Sequence, residues 1–574
     1  MKSRPFFNCI VLPALFGSLA NPAWTNPVDP EVISGSVEFS EEFTDLLEIS
    51  QHSDKAIIHW EGFSISSGEV TKFLQPGADS AVLNRVVSGD TSSIEGALEA
   101  NGNVLLINPN GILFGAGARV DTNGFIASTL DVPDVEFLAG GDMRFSGSSQ
   151  ARVVNLGEIT AKNGDVFLVG ATVTNTGNIS ASNGTVGLAA GQQVLITKQG
   201  DERVFVEVGS NGSVDHDGAI RAAQVELKAA GGNPKALAVN VAGRVEATGV
   251  QRVGGRVYLS GGSGKTRIAN RVKAAAPVRI ESAEVEIAPE ASIEGTEVAV
   301  NAAALAQIDG RIQARDEIGN GGPISINAPE ISIGAAGDLS ASGSAAAGSV
   351  QVVGDVSVTS EGQIRARSET DAGGIVTINA PNIAINTPGR IDASGTDGGF
   401  ISVGSIGDIH VGGQLKARGL VGNGGLVMVS GDGDVDVSPT ASLDASGEFD
   451  GGQVFVEASD ATTSSGTIKA RGRTGSGGFI FISGDEVAVN ASGLLDVSGG
   501  VDGGFIHVQG ASSATIDGEL RARGEGEKGG MIRVDGDEVS VGATGVLFLF
   551  SRSSGFAPRY PWDKSLLAFN EPCG

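Results

Sequence analysis

Short runs of apolar residues, separated by turns rich in glycine and aspartate, recur through most of this chain. In the clearest copy, Gly478 opens an apolar run at 479–482, a turn follows at 483–485, and further apolar runs lie at 487–489 and 495–497. Runs of this length, bounded by Gly, Asp, Asn and Ser, predict β-strands. None of these segments has the 3.6-residue apolar period of an amphipathic helix. The pattern therefore predicts three short strands in each repeat.

The same unit recurs at a nearly constant interval between residues 310 and 540. A glycine pair, or its remnant, opens each unit, at Gly322, Gly348, Gly374, Gly399, Gly425, Gly452, Gly478, Gly504 and Gly530. A strict period of about 26 residues indicates units that pack mainly on their neighbours in the chain. Three strands per repeat, stacked coil upon coil, predict an all-β fold, a right-handed parallel β-helix with columns of Ile, Leu, Val and Ala inside.

The coils are expected to be shorter near the amino terminus. The segment 155–164 is repeated at 175–184, and both copies are followed by apolar runs. We therefore expect 20-residue coils early in the chain and 26-residue coils later. A cap over residues 28–80 would cover the first coil, because an open terminal coil exposes unpaired strand edges.

Charge alternates from coil to coil at the third strand. In chain order the triplets are Arg365-Ala366-Arg367, Asp392-Ala393-Ser394, Lys416-Ala417-Arg418, Asp444-Ala445-Ser446, Lys469-Ala470-Arg471, Asp496-Val497-Ser498 and Arg521-Ala522-Arg523. Stacked strands lie ~4.8 Å apart, so alternation places Asp392 between Arg365 and Lys416 and avoids stacking like charges. We interpret these charges as structural, with the charged and hydroxyl side chains in solvent and the flanking Ile, Leu and Ala inside.

Composition narrows the possible partners. The chain has 87 glycines among 574 residues and a formal net charge of −28, which argues against nucleic acid and against anionic membrane surfaces. Residues 1–20 have a basic start, an interrupted apolar stretch and small residues at 18–20, as in a secretory signal peptide. Removal of that peptide would take Cys9 with it and leave Cys573 as the one remaining cysteine.

A turn motif lies among the apolar strands of residues 81–129. Asn108, Pro109, Asn110, Gly111 and Ile112 follow the apolar run 103–107. Proline fixes φ and Asn-Gly readily adopts positive φ, so the chain must turn sharply here. From the residues alone, the motif is either a well-formed corner or a recognition site, and the two readings stand about even.

This segment resembles the secretion domain at the start of filamentous-haemagglutinin-like exoproteins of two-partner secretion systems. The Asn-Pro-Asn-Gly-Ile motif of that family is intact at 108–112, and the resemblance covers roughly residues 30–200. A second family motif, Asn-Pro-Asn-Leu, is not present, and Leu83, Asn84, Arg85 and Val86 occupy its region.

The resemblance implies the organisation of the whole chain. We expect a signal peptide at 1–20, a secretion domain with its cap and first coils at 21–205, irregular coils at 206–310, regular repeats at 311–545 and a non-repetitive tail at 546–574. It also implies export through a pore-forming outer-membrane transporter, a secreted or cell-surface location in a Gram-negative type of envelope, and an adhesin role towards host or bacterial surfaces. No cofactor is implied.

The alternative is a secreted β-helical polysaccharide lyase or hydrolase, because this fold also carries such enzymes. The sequence offers little support for catalysis or for a metal site. Gly264-Lys265-Thr266 lacks the first glycine of a phosphate loop, and Asp432, Asp434 and Asp436 lack the later ligands of a calcium loop. His216 between two aspartates is a weak zinc candidate. We therefore predict no catalytic and no metal-binding residues.

Overall fold

The computed structural model describes residues 26–549, except 41–44, 208–209, 234–236, 250–253 and 527, together with the backbone of Leu566–Ala568. The expected signal peptide, Cys9, Cys573 and most of the expected tail lie outside the described residues. The described chain winds into a parallel β-helix with three strand positions per coil, which confirms the predicted fold class. We call the three sheets face one, face two and face three, in the order in which each coil visits them.

Face one contains the strands Val28–Ser34, Lys55–Gly62, Ala81–Val86, Asn103–Ile107, Gly124–Ser128, Val166–Gly170, Ile375–Asn379, Phe400–Ser405, Leu426–Gly431, Gln453–Ala458, Met531–Asp535 and Leu566–Ala568. Seven longer strands turn the corner from face one to face two: Val257–Ile268, Val278–Ile287, Val298–Ile308, Ile324–Ile333, Ser349–Ser360, Phe479–Val489 and Phe505–Ile516. Two others, Asn178–Ala190 and Ala219–Ala229, turn from face three to face one.

Face two contains the strands Ser92–Ile94, Ile112–Phe114, Arg152–Asn155, Thr172–Asn175, Ser213–His216, Leu237–Val241, Ile383–Ile385, Ile409–Val411, Val435–Val437, Ala461–Ser464 and Glu538–Val541. Face three contains Val37–Phe39, Leu46–Gln51, Val70–Leu74, Ala97–Ala100, Arg119–Thr122, Glu158–Ala161, Arg244–Ala247, Arg271–Ala274, Ser292–Gly295, Arg311–Ala314, Asp338–Ser340, Gln363–Arg365, Arg390–Asp392, Gln414–Lys416, Ser442–Asp444, Thr467–Lys469, Leu494–Asp496, Glu519–Arg521 and Val546–Phe548.

The amino-terminal end is closed by two antiparallel strands. Val28–Ser34 pairs antiparallel with Lys55–Gly62 on face one, and Val37–Phe39 pairs antiparallel with Leu46–Gln51 on face three. Parallel pairing begins with Leu46 opposite Val70, so the coils start well inside the cap that was expected over residues 28–80. The change of strand direction ends the parallel stack at this end.

Coil length varies along the helix. Glu158 is the register partner of Asn178, and Ser292 is that of Arg311, so the short coils continue beyond residue 205, where the secretion domain was expected to end. In the later repeats Asp392 pairs with Lys416, and Lys416 with Asp444, so a shorter coil is followed by a longer one. The strand Val546–Phe548 still pairs in parallel with Glu519–Arg521, within the segment that was expected to be tail.

Glycine opens each later repeat because two coils meet there backbone to backbone. A Cβ on Gly399 would collide with the carbonyl oxygen of Gly374, one on Gly425 with that of Gly399, and one on Gly452 with that of Gly425. A second column, from Gly395 to Gly524, bridges coil to coil at the opposite side of the same corner. The regular glycine period therefore reflects direct contact between successive coils.

The charge alternation sets the predicted register. Successive coils of face three place the following residues opposite one another: Arg365, Asp392, Lys416, Asp444, Lys469, Asp496 and Arg521. Two details of the prediction are wrong. Between coils the ion pairs run diagonally, from Nε of Arg367 to Asp392 at 3.6 Å and from Nε of Arg418 to Asp444 at 3.5 Å. The shortest ion pair of Asp392, at 2.5 Å, is with Arg390 on its own strand.

The sequence led us to expect the charged and hydroxyl side chains of this ladder in solvent, but Asp392, Asp496 and Ser394 are buried. Asp392 is 1% exposed, and Asp496 and Ser394 are each 3% exposed. The short carboxylates lie between longer basic side chains, and Oδ1 of Asp444 accepts a hydrogen bond from the amide of Ser446 at 3.0 Å. Burial alone raises the pKa of Asp392, but the amide of Ser394 and the guanidinium groups of Arg390 and Arg367 hold it below its ordinary value.

Two excursions, which the sequence analysis missed, interrupt the early coils. Residues 130–151 contain the short helix Asp134–Ala139 and the strand Met143–Ser146, and residues 191–212 contain the hairpin Gln193–Ile196 and Val204–Val206. Their three strands form a separate antiparallel sheet. No helix among the described residues is long and apolar enough to cross a membrane.

Candidate functional site

The Asn-Pro-Asn-Gly-Ile motif forms the corner between face one and face two of an early coil. Asn108 follows the strand Asn103–Ile107, and Ile112 starts the strand Ile112–Phe114. The amide of Gly111 donates to the carbonyl of Asn108 at 3.1 Å, which closes a four-residue turn, and Gly111 has φ +115°. Glycine is the residue that adopts this φ without strain.

Asn108 holds the turn together from the inside. Its side chain is fully buried, and its Nδ2 donates to the carbonyl of Asp90 and to Oγ of Ser92, each at 2.9 Å. Its Oδ1 accepts from the amide of Asn110 at 2.9 Å. The carboxamide is therefore satisfied on both its donor and its acceptor side, as a buried amide requires.

The tip of the turn, by contrast, faces solvent. Pro109 and Asn110 are exposed, and Nδ2 of Asn110 donates to the carbonyl of Ser88 at 2.8 Å. Ser149, at the end of the first excursion, donates from Oγ to the carbonyl of Pro109 at 2.6 Å. The structure thus shows a well-formed corner with two side chains exposed at its tip.

Leu83, Asn84, Arg85 and Val86 lie on the face-one strand one coil earlier. Arg85 is the register partner of Ile107, and the loop that follows Val86 supplies Ser88, Asp90 and Ser92 to the turn. The structure therefore brings the two sequence segments together. Val86 points into the solenoid core, and buried Asn84 accepts from Nε1 of Trp60 at 2.9 Å and donates to the carbonyl of Leu105 at 3.2 Å.

Leu83 and Arg85 point the other way, to the outer surface of face one. Leu83 belongs to a second buried apolar cluster, in which outward side chains of face one are covered by the two excursions. We call this set the flank cluster: Ile57, Leu83, Leu105, Ile107, Ile126, Leu130, Val132, Phe137, Phe145, Phe167, Val169, Ala189, Val194, Ile196 and Val204. A coil of this region is therefore apolar on both sides of one sheet, as in sheets that are covered on both faces.

Arg85 ties the first excursion to face one. Its guanidinium donates to Asp131 at 3.0 Å, to the carbonyl of Val132 at 3.1 Å and to Asp134 at 2.8 Å. Burial alone would lower the pKa of Arg85, but the hydrogen bonds and charges of Asp134 and Asp131 raise it above its ordinary value. Only a planar, forked cation can reach all three acceptors at once.

The second excursion is held by a buried ion cluster that sequence reasoning also missed. Glu226 is fully buried and accepts from the amides of Arg203 and Val204 at 2.7 and 2.9 Å, and from Gln224 at 2.7 Å. Its Oε2 lies 3.2 Å from Nζ of Lys228. The sequence signal for this cluster is the alternation in Gln224-Val225-Glu226-Leu227-Lys228. Its polar residues lie on the outer side of the strand, and once that side is covered they need polar partners.

The side chains that resembled chemical sites have structural partners. His216 is fully buried, where Nδ1 accepts from Nδ2 of Asn175 at 3.0 Å and Nε2 donates to the carbonyl of Arg244 at 3.1 Å. Burial lowers its pKa, which favours the neutral imidazole that this hydrogen-bond pattern requires. Asp436 pairs with His410 at 2.9 Å, and Lys265 pairs with Glu286. Among the described residues no group of three or more His, Cys, Asp or Glu side chains is arranged to hold a metal ion.

A family model and two curated relatives are similar to parts of this chain. The family model described as TPS secretion domain matches residues 40–285. Two heme/hemopexin-binding proteins of Haemophilus influenzae also match. One is 39% identical over 106 residues, which are 18% of this chain and 11% of that protein. The other, from strain Rd, is 29% identical over 263 residues, which are 44% of this chain and 29% of that protein. The chain thus spans less than a third of the length of these curated relatives.

Two solved structures are similar at low identity. The HMW1 secretion domain from Haemophilus influenzae is 21% identical and the alignment covers 90% of this chain and 100% of that one, with a TM-score of 0.30. A filamentous hemagglutinin secretion domain is 14% identical and the alignment covers 55% of this chain and 95% of that one, also with a TM-score of 0.30.

Proposed function

We propose that a pore-forming outer-membrane transporter recognises the turn at 108–112. The TPS secretion domain model, which matches residues 40–285, is the mark of exoproteins secreted with such a transporter. The observation that carries the proposal is the division of labour inside the motif. Asn108 is buried and fixes the turn, whereas Pro109 and Asn110 are exposed and contribute nothing to the core. A rigid, exposed tip loses little conformational entropy when a partner binds it.

Leu83, Asn84, Arg85 and Val86 have a supporting role in this proposal. Their strand lies beside Asn103–Ile107, and the loop after Val86 anchors both Asn108 and Asn110. Arg85 in addition fixes the excursion whose Ser149 contacts the tip. We therefore assign these four residues to positioning the turn rather than to direct contact with the transporter.

The export experiment compares substitutions that separate the tip from its support. Pro109→Ala and Asn110→Ala change only exposed side chains, so we expect a folded secretion domain but a large loss of exported protein in cells that carry the cognate transporter. Asn183→Ala, at an exposed corner in a later coil, is the matched control and should be exported normally. Normal export of the Pro109/Asn110 double variant, or of a chain lacking residues 108–112, would overturn the proposal.

We propose further that the chain folds outside the cell, coil by coil. Each coil pairs with the coil before it, and the antiparallel cap at 28–39 provides the first edge. A chain that emerges amino terminus first can therefore add coils in order, each new strand burying apolar surface against a finished one. We propose that this ordered growth helps to draw the chain outward, and that the scarcity of cysteines suits passage of an unfolded chain.

After export, we propose that the coiled body acts as a non-catalytic, adhesin-like surface. The fold's alternative use as a polysaccharide lyase or hydrolase needs carboxylates and bases that converge in a cleft. On face three, the carboxylates of Asp392, Asp444 and Asp496 are engaged with arginines and amides of the ladder. A screen of acidic polysaccharides for cleavage products decides between the two roles, and product release by the purified chain would favour the enzyme.

A further inference from the structure

The three faces of the later coils present different chemistry to solvent. Face one carries outward aromatic and aliphatic side chains, such as Phe400, Phe455 and Phe479, and the rings of Phe455 and Phe479 pack on one another from coil to coil. Face two presents mostly small and polar side chains, such as Thr359, Asp436 and Thr463. Face three presents charges, and their sign is unusual for this molecule.

Face three of the regular repeats is basic although the chain as a whole is strongly acidic. Its nine third-strand segments are 311–315, 338–342, 363–367, 390–394, 414–418, 442–446, 467–471, 494–498 and 519–523. Together they hold eleven Lys and Arg residues against five Asp and Glu residues, in a chain of net charge −28. A basic strip on an acidic body concentrates positive potential on one side of the rod.

Within this strip, arginine and serine alternate along one column. The order is Arg315, Ser342, Arg367, Ser394, Arg418, Ser446, Arg471, Ser498 and Arg523. Hydrogen bonds from the amides of Arg367, Arg418 and Arg471 to Oγ of the preceding serine, at 3.1, 3.1 and 3.2 Å, show that these residues are neighbours. Since coils are ~4.8 Å apart, the arginines repeat every ~9.6 Å.

The ion pairs of the ladder engage Nε of these arginines and leave the Nη atoms of the guanidinium groups available to a ligand. Nε of Arg367, Arg418 and Arg471 lies 3.5–3.7 Å from the aspartate of the next coil. Their Nη atoms make no hydrogen bond to any described residue, and their side chains are 45%, 48% and 55% exposed. We call these three residues the arginine row.

Residue choice separates this column from the rest of the ladder. The inner basic position of the same coils is occupied by Arg365, Lys416 or Lys469, so either cation serves there. The outer position is arginine in all five basic coils, from Arg315 to Arg523. A guanidinium differs from an ammonium chiefly in its planar fork, which binds carboxylate and sulfate groups with two parallel hydrogen bonds.

We propose that the arginine row is a binding strip for a linear acidic polysaccharide that carries one carboxylate or sulfate group per disaccharide. The two-coil spacing is close to the length of one disaccharide in an extended chain of alternating 1,3- and 1,4-linked sugars, so successive acidic sugars meet successive arginines. Duplex DNA fits poorly, because its phosphates follow at ~3.4 Å along each strand. The small serines between the arginines leave room for the neutral sugar of each disaccharide.

This inference rests on the proposed adhesin-like role and names a ligand for it. Its test uses purified chain and is therefore independent of export. Purified chain is titrated with hyaluronan and unsulfated chondroitin oligosaccharides of increasing length, each of which carries one carboxylate per disaccharide. Affinity should rise up to about the hexasaccharide, which spans three arginines two coils apart, and then rise little further. Binding should weaken with salt, as expected for ionic contacts.

The decisive variant replaces Arg367, Arg418 and Arg471 together by Gln and should lose at least about tenfold in affinity, since charge-assisted hydrogen bonds are removed. The matched control replaces the three exposed, ion-paired cations Arg119, Lys162 and Arg244 by Gln, which changes the net charge equally and should leave binding unchanged. Replacing the arginine row by Lys keeps the charge and the fold, and should still weaken binding.

Three outcomes would overturn the proposal: equal loss in both triple variants, no dependence on oligosaccharide length, or tighter binding of duplex DNA or polyglutamate than of either polysaccharide. A thermal melt of each variant shows whether the coils remain folded, and the Lys variant answers the question if the Gln variant does not fold. Export of the same variants is expected to be normal, so failure of this inference is distinguishable from failure of the proposed role of residues 108–112.

Discussion

The substitution Gly425→Ala tests whether direct contact between glycines holds the later coils together. An added Cβ would collide with the carbonyl oxygen of Gly399 and would lie 2.6 and 2.8 Å from the carbonyl carbon and oxygen of Gly398. All of these are backbone atoms, so no side chain can rotate away. Two hydrogen bonds hold the same corner, from the amide of Gly425 to Ala417 at 2.7 Å and from Leu426 to Gly399 at 3.0 Å.

The size of the effect follows from these contacts. Overpacking a close-packed site costs ~1–3 kcal/mol, and weakening one or two backbone hydrogen bonds adds ~1 kcal/mol each. We therefore expect Gly425→Ala to lower the free energy of local unfolding by about 3 kcal/mol. Gly404→Ala is the matched control on the same face, because its new Cβ would approach only Oδ1 of Asn379, at 2.9 Å, a side-chain atom that can move.

Hydrogen exchange measures the effect where it occurs. In a solenoid each coil contacts only its neighbours, so amides of the strands Leu426–Gly431 and Gln453–Ala458 should exchange about a hundredfold faster in Gly425→Ala, while those of Ala81–Val86 are unchanged. Gly404→Ala should change stability by about 0.5 kcal/mol or less. Equal protection in the two variants would refute the idea that this contact enforces the repeat.

Three further substitutions test other parts of the structure. His216→Asn should flatten the pH dependence of thermal stability below about pH 6.5. Burial lowers the pKa of His216 in the folded chain, so its contribution is complete above the unfolded pKa of about 6.5 and is lost as pH falls towards the lower, folded pKa. An unchanged slope would contradict this assignment. Asn108→Ala should cost about 2–4 kcal/mol in urea unfolding, because it strands the amide of Asn110 and removes two donors, whereas Asn110→Ala should cost under about 1 kcal/mol. Equal costs would argue against the buried-support and exposed-tip division. Arg85→Lys should leave the coils folded but speed proteolysis within residues 130–151, since lysine cannot span Asp131, Asp134 and the carbonyl of Val132, and unchanged cleavage there would contradict the clamp.

Much of the architecture was readable from the sequence because the repeats impose their own register. The glycine period and the alternation of Asp392, Lys416 and Asp444 both predict which residues stack, and the pairing confirms it. The resemblance of residues 81–129 to two-partner secretion domains is likewise confirmed by the family match. The first signal is repeated along the chain and the second is a short contiguous motif, so both can be recognised in a single sequence.

The details that the sequence did not reveal depend on how side chains of different segments pack against one another. Asp392 is buried because neighbouring basic side chains are longer. Its ion pairs go to Arg390 on its own strand and to Arg367, rather than to the residues directly opposite. The excursions were missed because their apolar residues, such as Phe145 and Ile196, pack against outward side chains of face one, and no period links the two. Contacts between non-repeating segments leave no pattern along the chain.

The candidate site was predictable in position but not in its division of roles. The motif suggested a sharp turn at Pro109 and Gly111, and the turn is there. That Asn108 is the internal support and Asn110 the surface residue depends on the loop after Val86, whose carbonyl groups accept from both. The assignment of a recognition role to residues 108–112 remains a prediction for the export experiment.

The alternating ladder also constrains how such a gene can change in length. Recombination between neighbouring repeats that removes a single coil would place two basic residues, or two aspartates, opposite each other at the new junction. Loss or gain of two coils would keep the original alternation of charge. The repeat that can be inserted or deleted is then a pair of coils, such as the pair that leads from Asp392 to Asp444 or from Asp444 to Asp496. Lineages descended from this chain should differ in size by whole multiples of that doublet.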